Sequence, residues 1–366
     1  MNICCLIDSL NSGGAQRQMT WLIRALTGNG HSVRLLTYHQ YDHYLPLVRA
    51  CGVEPQNIKS STKVGRFWSF RKAIRQTAPD VIISFLNTPN LLGLFACMPP
   101  GRIPLIVSER NHDIGGKTQA TSIRFNAFRL ASKVITNCYA QNDFVSVNYP
   151  FLKNKLATIL NCVDLEKFQP STSGPLPVKI LVGASVCERK NPHGLLEASI
   201  QLAREGIEHQ IDWYGNDFFE DGKPTAQSDW YLKCQSTLEK NEHDRFQFHP
   251  SIQNIEDIFG DYHACCLPSF REGCPNIVCE AMASGLPVLG SKHGDMKKMV
   301  EESSGGFLFE PDDSSDIANS IKKLAELDVQ QMNQLGARNR EFAENRLSPK
   351  RFAAEYEALI QEVSGN

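Results

Sequence analysis

The sequence predicts an α/β protein built from two doubly wound, parallel-sheet domains in tandem. Short apolar runs typical of strands alternate with segments of helical periodicity along the chain, which is the pattern of parallel sheets covered by helices on both faces. The pattern breaks at the Pro-, Ser- and Gly-rich stretch 170–177 and then restarts. The length of 366 residues also exceeds the ~250–300 residues that one hydrophobic core usually supports.

The first predicted domain covers residues 1–170. Its predicted strands are Ile3–Ile7, Val33–Thr37, Val81–Phe85, Leu105–Ser108, Val134–Thr136 and Thr158–Leu160. The first strand is followed by a Gly-Gly turn and by Ala15–Leu26, where apolar residues recur at helical spacing.

The second predicted domain covers residues 171–347. Its predicted strands are Val178–Val182, Ile211–Tyr214, Arg245–Phe248, Ala264–Leu267, Val288–Leu289 and Gly306–Phe309, with helices from about Pro192 and near 229–240, 276–284, 313–326 and 330–345. Residues 348–366 contain a further helix, Ser348–Val363, with one apolar side. We expect it to return to the first domain. Ligands of such sheets bind outside the carboxyl ends of the strands, so two facing sheets predict a deep cleft.

The composition is that of an ordinary globular protein, with 42% hydrophobic and 21% charged residues. The twelve cysteines form no C-x-x-C pair, which favours free thiols in a reducing, cytoplasmic compartment over a disulfide or zinc framework. The first ten residues lack the basic region of a signal peptide. The most apolar later stretch, Val81–Met98, is interrupted by polar residues and does not predict a membrane span.

Charge divides unevenly between the two predicted halves. Residues 1–170 contain 19 Lys and Arg against 9 Asp and Glu, a net charge of +10, whereas residues 171–366 contain 19 against 31, a net charge of −12. The basic half favours anionic surfaces or phosphates. The alternative is that the charge asymmetry does not reflect binding to any partner.

The segment 268–290, PSFREGCPNIVCEAMASGLPVLG, carries the strongest chemical signal. A strand ends at Leu267, and a turn rich in Gly and Pro leads to Asn276, which we expect to cap a helix Ile277–Ala283 that Gly285 ends. The start of a helix presents unpaired N–H groups and the positive end of the helix dipole. The segment therefore predicts a phosphate-binding site.

Two glutamates flank this predicted phosphate site. Glu272 lies in the loop before the helix, and Glu280 lies about one turn inside it. Carboxylates repel phosphates but accept hydrogen bonds from sugar and ribose hydroxyls. The alternative is a capped helix with two solvated glutamates.

The glutamate pair and its surroundings resemble the E-x7-E motif of glycosyltransferase family 4, the retaining nucleotide-sugar glycosyltransferases. The similarity covers nearly the whole chain. The segments that carry it are EGCPNIVCEAMASGLPVLGS, LNSGGAQRQ, ILNCVDLEKFQP and GASVCERKNPHGLLEA. The resemblance implies the GT-B fold, with two Rossmann-like domains, the donor mainly on the second and the acceptor mainly on the first.

The resemblance also implies roles for individual residues. Glu272 would contact the transferred sugar, Glu280 the ribose, and Lys190 the donor diphosphate. The backbone N–H groups implied to bind the diphosphate are those of Asn276, Ile277 and Val278, with Gly13 and Gly14 allowing the first domain's backbone to approach it. The family usually has Arg directly after the glycine at 183, where this chain has Ala184; the neighbouring Arg189 is the candidate substitute.

In the first domain, SFLNTPN and LIVSERNHD follow strand ends and resemble segments of bacterial transferases that assemble lipid-linked oligosaccharides. They supply Asn87, Glu109, Arg110 and His112 as candidate acceptor- or sugar-pocket residues. Many family members have a histidine here that contacts the donor sugar, so His112 joins Glu272 and Lys190 as a candidate catalytic residue. The alternatives are that His112 is a surface-loop histidine and that Glu109 is a structural partner of Arg110.

The stretch 63–76, KVGRFWSFRKAIRQ, combines cations with bulky aromatics. The predicted membrane patch consists of Arg66, Trp68, Arg71, Lys72 and Arg75. Such a mixture suits an anionic membrane interface. The alternative is an amphipathic helix with core aromatics. No RNA-binding motif accompanies the stretch, so we expect no nucleic-acid partner.

Together these features predict a retaining, metal-independent glycosyltransferase. It would move a hexose or N-acetylhexosamine from a nucleotide-sugar, UDP-linked or else GDP-linked, to a lipid-linked saccharide at the cytoplasmic face of the membrane. No D-x-D metal clamp is present, and no cofactor is expected. The alternatives are a GT-B sugar-nucleotide epimerase or phosphorylase, and a non-catalytic nucleotide-sugar-binding scaffold.

Overall fold

The computed structural model describes residues 1–99, 103–110, 117–170, 177–215, 219–220, 223–224, 228–252 and 254–365. The chain divides into two compact units. Unit 1 comprises Met1–Cys162 with Pro349–Asn366, and unit 2 comprises Val163–Ser348. The sequence placed this boundary at 170/171. The structure moves it to 162/163 because Arg340 of unit 2 donates to the carbonyls of Phe168 (2.7 Å) and Leu165 (3.2 Å).

Unit 1 contains one parallel sheet. Its strands are β1 (Asn2–Leu6), β2 (Ser32–Thr37), β3 (Gln56–Asn57), β4 (Val81–Phe85), β5 (Leu105–Glu109), β6 (Lys133–Thr136) and β7 (Leu156–Thr158), and its helices are α1 (Gly14–Gly28), α2 (Leu45–Ala50), α3 (Lys63–Thr77), α4 (Asn87–Ala96), α5 (Gln119–Ala127) and α6 (Tyr139–Asn148). The strand order is β3-β2-β1-β4-β5-β6-β7. All neighbouring strands of this sheet run parallel.

Both faces of the unit 1 sheet are covered by helices, because its strands are apolar at successive positions. Side chains such as Ile3 and Ile83 point to one core together with α1 and α2, and side chains such as Cys4 and Ile82 point to the other together with α3 to α6. Every residue of β4 and β5 is buried. This is the pattern expected of a doubly wound parallel sheet.

Unit 2 repeats the architecture. Its strands are β8 (Val178–Gly183), β9 (His209–Tyr214), β10 (Phe219–Glu220), β11 (Lys223–Pro224), β12 (Phe246–His249), β13 (Ala264–Leu267), β14 (Val288–Ser291) and β15 (Gly306–Phe309), and its helices are α7 (Pro192–Arg204), α8 (Ser228–Lys240), α9 (Asn276–Ala283), α10 (Gly294–Ser303), α11 (Ser314–Ala325) and α12 (Val329–Arg346). The main sheet has the order β12-β9-β8-β13-β14-β15 and is parallel throughout. Strands β10 and β11 form a separate antiparallel hairpin.

The last helix, α13 (Pro349–Ser364), belongs to unit 1. Phe352, Tyr356 and Ile360 are buried in the same core as α1, and Glu357 pairs with His31 at 2.9 Å. The sequence expected this helix on the first domain, and the structure places it there through this apolar face.

Each main sheet reverses its strand order at one point. In unit 1 the reversal lies between β1 and β4, and in unit 2 between β8 and β13. The loops that leave such neighbouring strands diverge to opposite faces, and the crevice between them is where doubly wound sheets bind ligands. The fold therefore directs attention to four loops, two in each unit.

Candidate active site

In unit 2, the loops after β8 and β13 bring Lys190 and Glu272 together. Lys190 Nζ donates to Glu272 Oε1 at 2.5 Å, and Arg189 Nη1 donates to the same oxygen at 2.9 Å. The side chains of Lys190 and Glu272 are 13% and 11% exposed, whereas that of Arg189 is 53% exposed. The sequence identified all three residues. It gave no indication that Lys190 and Arg189 donate to the same carboxylate oxygen of Glu272.

The backbone holds this ion cluster in place. Residues Glu188–Lys190 form a 3-10 turn, and Asn191 then adopts a left-handed conformation with φ of 55°. The Asn191 side chain accepts from the amide of Gly194 and so caps α7. It also donates to the Pro311 carbonyl at 2.5 Å. Because a buried amide fixes the loop from both sides, the cations before it have a defined position.

The second loop is tied to the first by backbone contacts. The Phe270 amide donates to the Arg189 carbonyl at 3.0 Å, and Arg189 Nη1 also donates to the Arg271 carbonyl at 3.3 Å. These contacts cross the point where the strand order reverses. The two loops therefore form one local structure around Glu272.

Helix α9 follows directly, and its start differs from the prediction. The N-cap is Pro275 and no side chain caps the helix, so the expected capping role of Asn276 is wrong; Asn276 is the first helical residue. A proline at this position has no amide to satisfy and has φ of −73°, which suits a helix entry. The Val278 amide donates to the Pro275 carbonyl at 3.2 Å, which engages one of the three predicted phosphate-binding amides within the helix.

Helix α9 packs closely against the end of β8 at Gly183. A Cβ added to Gly183 would lie 2.6 Å from Cδ1 of Ile277, in the first turn of α9. Glu280, one turn further along, is 4% exposed. Burial, followed by the charge of Glu280, raises the pKa of the Cys265 thiol, which places the carboxylate near β13. Gly285, with φ of +68°, ends the helix as the sequence predicted.

In unit 1, Gly13 and Gly14 mark the start of α1 after β1. Gly13 is the N-cap, and a Cβ there would lie 2.1 Å from Oε1 of Gln16. The side-chain Nε2 of Gln16 in turn donates to Asp8 Oδ1 at 2.8 Å. The glycine pair therefore permits a tight strand-to-helix loop at the point where the unit 1 sheet reverses its order.

The loop after β4 contains an unusual backbone conformation that sequence reasoning missed. Leu86 has φ of 76° and ψ of 157°, a region that non-glycine residues rarely adopt. It is the N-cap of α4, so Asn87 is the first residue of a helix rather than part of the loop that the sequence suggested. Asn90, fully buried one turn later, donates to the Ser108 carbonyl at 3.1 Å. No feature of a leucine in sequence would have indicated this turn.

Glu109, the last residue of β5, has a structural partner in α5. Glu109 is fully buried and pairs with Arg124 of α5 at 3.0 Å, a residue that the sequence had not singled out. The Arg110 guanidinium lies 4.4 Å from the centroid of the Phe85 ring. His112 lies outside the described residues. The structure thus supplies an ion pair for Glu109 and an aromatic contact for Arg110.

Helix α3 carries the predicted membrane patch, and its five residues fall into two groups. Arg71 donates to the carbonyls of Phe95 and Ala96 at the end of α4, and Arg66 stacks over the Tyr38 ring at 4.4 Å. These two cations serve the packing of unit 1 and are removed from the predicted exposed patch. In contrast, Trp68 is 61% exposed, and Lys72 and Arg75 are exposed.

Among the described residues, no group of three or more His, Cys, Asp or Glu side chains is arranged to hold a metal ion. Within the same residues, no helix has the length and apolar character needed to traverse a bilayer. None of the twelve cysteines, all of which lie among the described residues, forms a disulfide.

Two family models match the chain. The model for glycosyl transferases group 1 matches residues 177–326, and the model for glycosyltransferase family 4 matches residues 12–167. Together they cover most of both units.

Curated relatives agree with this assignment. A Campylobacter jejuni protein named GalNAc-alpha-(1->4)-GalNAc-alpha-(1->3)-diNAcBac-PP-undecaprenol alpha-1,4-N-acetyl-D-galactosaminyltransferase is 23% identical over 88% of each chain. An Escherichia coli UDP-Gal:alpha-D-GlcNAc-diphosphoundecaprenol alpha-1,3-galactosyltransferase is 27% identical over 51% of this chain and 49% of its own length.

Solved structures share the fold. A glycosyltransferase from Rickettsia africae superposes with a TM-score of 0.85 at 14% identity, covering 100% of this chain and 99% of that one. Anabaena HepE in complex with UDP and glucose superposes with a TM-score of 0.81 at 17% identity, covering 99% and 100%. These are GT-B glycosyltransferase neighbours, as the resemblance implied. The chain is a glycosyltransferase and belongs to glycosyltransferase family 4.

Proposed function

We propose that the protein transfers a hexose or N-acetylhexosamine from a UDP-sugar to a lipid-linked saccharide, with retention of anomeric configuration and without a metal. The observation that carries this proposal is the cluster of Lys190, Arg189 and Glu272 at the point where the unit 2 sheet reverses its strand order. Cations and the N–H groups at a helix start bind the negative charge of a diphosphate. Carboxylates accept hydrogen bonds from sugar hydroxyls.

The leaving group of this reaction is a nucleoside diphosphate, and its departure requires charge stabilisation. Lys190 supplies a positive charge, only 13% exposed, that is paired with Glu272 in the loop leading to α9. A preorganised cation and helix dipole stabilise developing negative charge without reorganising at the moment of bond breaking. These groups would take the role that a divalent ion plays in metal-dependent transferases, which is why we propose that no metal is required.

The two glutamates would recognise hydroxyl groups. Glu272 would accept from hydroxyls of the transferred sugar, and Glu280 from those of the ribose. Glu280 lies in α9, one turn beyond the helix start. Neither is proposed as a general base. In a retaining transfer with same-face attack, the departing phosphate itself takes part in deprotonating the acceptor hydroxyl.

The acceptor proposal draws on unit 1 and on the relatives. Both the C. jejuni and the E. coli relatives are named for acceptors carried on undecaprenyl diphosphate. In unit 1 we keep Asn87 and Arg110 as candidate acceptor contacts, with His112 a proposal from sequence alone. Glu109 is reassigned to a structural role because of its buried pair with Arg124.

A lipid-linked acceptor implies that the reaction takes place at a membrane surface. We propose that unit 1 binds the anionic lipids of the cytoplasmic face. The revised patch is Trp68, Lys72 and Arg75 on α3, with the exposed Val64 and Met98 beside it. Exposed aromatic and aliphatic side chains next to cations suit the lipid headgroup region. Unit 1 also contains most of the positively charged first half of the sequence.

The membrane proposal is tested by vesicle binding. Replacing Lys72 and Arg75 by Gln should weaken binding to phosphatidylglycerol vesicles by roughly 1 kcal/mol per cation, chiefly at low salt. The matched control removes two exposed cations from unit 2, Lys240→Gln with Lys323→Gln, and should leave binding unchanged. Equal loss in both variants would show that binding depends on total charge and not on α3.

The reaction itself is tested with a panel of UDP- and GDP-sugars and an undecaprenyl diphosphate-linked saccharide. We expect extension of the lipid-linked saccharide with one UDP-sugar, an α-configured product by NMR, no inhibition by EDTA, and loss of product in Glu272→Ala. Isomerised sugar nucleotide in the absence of acceptor would indicate an epimerase instead. Donor binding without turnover on any acceptor would indicate a scaffold.

A further inference from the structure

One carboxylate oxygen in unit 2 is shared by two cations. Glu272 Oε1 accepts from Lys190 at 2.5 Å and from Arg189 at 2.9 Å. The carboxylate is 11% exposed, so both contacts are partly shielded from water, and such charge-assisted hydrogen bonds are stronger than those between neutral groups. An anion that accepts from the same N–H groups of these cations displaces the Glu272 carboxylate.

We propose that Glu272 competes with the donor's diphosphate for Lys190 and Arg189, and that this competition promotes release of the nucleoside diphosphate product. The inference rests on the proposed function, because it takes UDP as the anion. It adds a role that hydroxyl recognition alone does not include. Glu272 would favour binding of the intact UDP-sugar and oppose binding of UDP.

The exchange follows from charge. A diphosphate carries more negative charge than a single carboxylate, so it attracts both cations more strongly at close range. When the cations move to the diphosphate, the oxygen that held them becomes available to accept from a hydroxyl of the attached sugar. The sugar of the intact donor therefore gives Glu272 a hydrogen bond in place of those from Lys190 and Arg189.

Product UDP offers no such replacement. Once the sugar has moved to the acceptor, Glu272 near a bound diphosphate has neither its cations nor a hydroxyl partner. A partly buried carboxylate without partners is unfavourable. Its return to Lys190 and Arg189 restores two charge-assisted hydrogen bonds and lowers the affinity for UDP.

Calorimetric titration of UDP into Glu272→Gln tests the proposal. The amide keeps the shape of the side chain and removes the negative charge, so we expect UDP to bind about fivefold to tenfold more tightly than to the wild type. The ratio of UDP-sugar affinity to UDP affinity should fall at the same time. The matched control is Glu188→Gln, which removes an exposed carboxylate from the same 3-10 turn and should leave UDP affinity unchanged.

A double-mutant cycle identifies the cations. In the Lys190→Met background, Glu272→Gln should no longer tighten UDP binding, and in Arg189→Met the gain should be smaller than in the wild type. Melting temperatures of all variants show whether each is folded at the titration temperature, and inorganic pyrophosphate serves as a second anion probe. The same gain in UDP affinity with and without Lys190 would overturn the proposal.

Failure of the inference and failure of the proposed function give different results. If the wild type binds UDP and UDP-sugar but Glu272→Gln binds UDP equally or more weakly, the competition is overturned and the donor site stands. If neither the wild type nor Glu272→Gln binds UDP, UDP-sugar or pyrophosphate, the proposed donor site is overturned together with the inference.

Discussion

The two units have the same sheet topology, but they place different side chains where the strand order reverses. Each has a parallel sheet whose strand order reverses once, and each sends two loops past that point. In unit 2 these loops hold a partly exposed cluster of two cations and a carboxylate. In unit 1 they hold a glycine pair, a leucine with positive φ and a buried asparagine. Fold geometry thus fixes where a site lies, whereas the charges there decide what it can bind.

We propose a structural role for Glu109 of unit 1 and a functional role for Glu272 of unit 2. Glu109→Ala should therefore cost about 3–5 kcal/mol in the free energy of unfolding, because it leaves the Arg124 guanidinium buried without its carboxylate. Urea denaturation measures the effect, with the exposed Asp143→Ala as the control. A stable variant with a raised KM for the acceptor would instead place Glu109 in the acceptor pocket.

The donor-site geometry depends on Gly183, at the end of β8. Gly183→Ala would set a Cβ 2.6 Å from Cδ1 and 2.8 Å from Cγ1 of Ile277, so the Ile277 side chain in the first turn of α9 must move. We expect a loss of roughly 1–3 kcal/mol in stability and weaker UDP binding. Gly28→Ala adds a Cβ with nothing within 4 Å at the end of α1, so it should leave UDP affinity unchanged and should not lower stability. Denaturation and calorimetry measure both effects. Unchanged UDP affinity in Gly183→Ala would show that the site tolerates movement of α9.

Unit 2 also contains a largely buried polar network from which we expect sensitivity to acid. Ser199 Oγ lies 2.7 Å from Nε2 of both His209 and His243. Nδ1 of His209 faces the Ile207 carbonyl at 2.9 Å and must donate to it, so Nε2 accepts from Ser199 and His243 donates to Ser199. Burial lowers the pKa of both histidines below that of an exposed imidazole, with Arg245 reinforcing the effect and Glu208 and Asp244 opposing it.

Because the folded state disfavours the charged imidazoles, it binds fewer protons than the unfolded chain, and its stability falls as the pH drops below about 6.5. Urea midpoints at pH 7.5 and pH 5 should show this loss in the wild type and a smaller loss in His243→Asn. This is the smallest of the expected effects. Identical pH dependence in the two proteins would contradict the assignment of the acid sensitivity to Ser199, His209 and His243.

The sequence predicted those parts of the fold whose signals lie within a few residues of one another. The strands were recognisable as apolar runs, and the end of α9 was fixed by Gly285. The two-residue strand β3 and the hairpin β10–β11 were missed because they have little local signal. The sequence analysis also did not predict the helices α2, α4, α5, α6 and α10. The boundary at 162/163 depends on contacts between distant segments, such as Gln18 donating to the Cys162 carbonyl at 2.9 Å, which no local pattern records.

The same distinction holds for the candidate site. Lys190 and Glu272 were identified because each sits in a motif, but their contact spans 82 positions and became visible only in the structure. Glu109 in β5 and Arg124 in α5 lie 15 positions apart. The sequence therefore offered the adjacent Arg110 as the partner instead. Arg71 looked exposed until α4 was placed beside α3.

The most direct test of the donor site is the affinity for UDP measured by calorimetry in three proteins. Relative to the wild type, Lys190→Met should weaken binding by about 1.5–3 kcal/mol, the usual contribution of a hydrogen bond to a charged group. Lys179→Met, which removes an exposed cation from β8 in the same unit, should bind UDP as the wild type does. Equal affinity in all three proteins would contradict the proposal that a nucleoside diphosphate binds at Lys190.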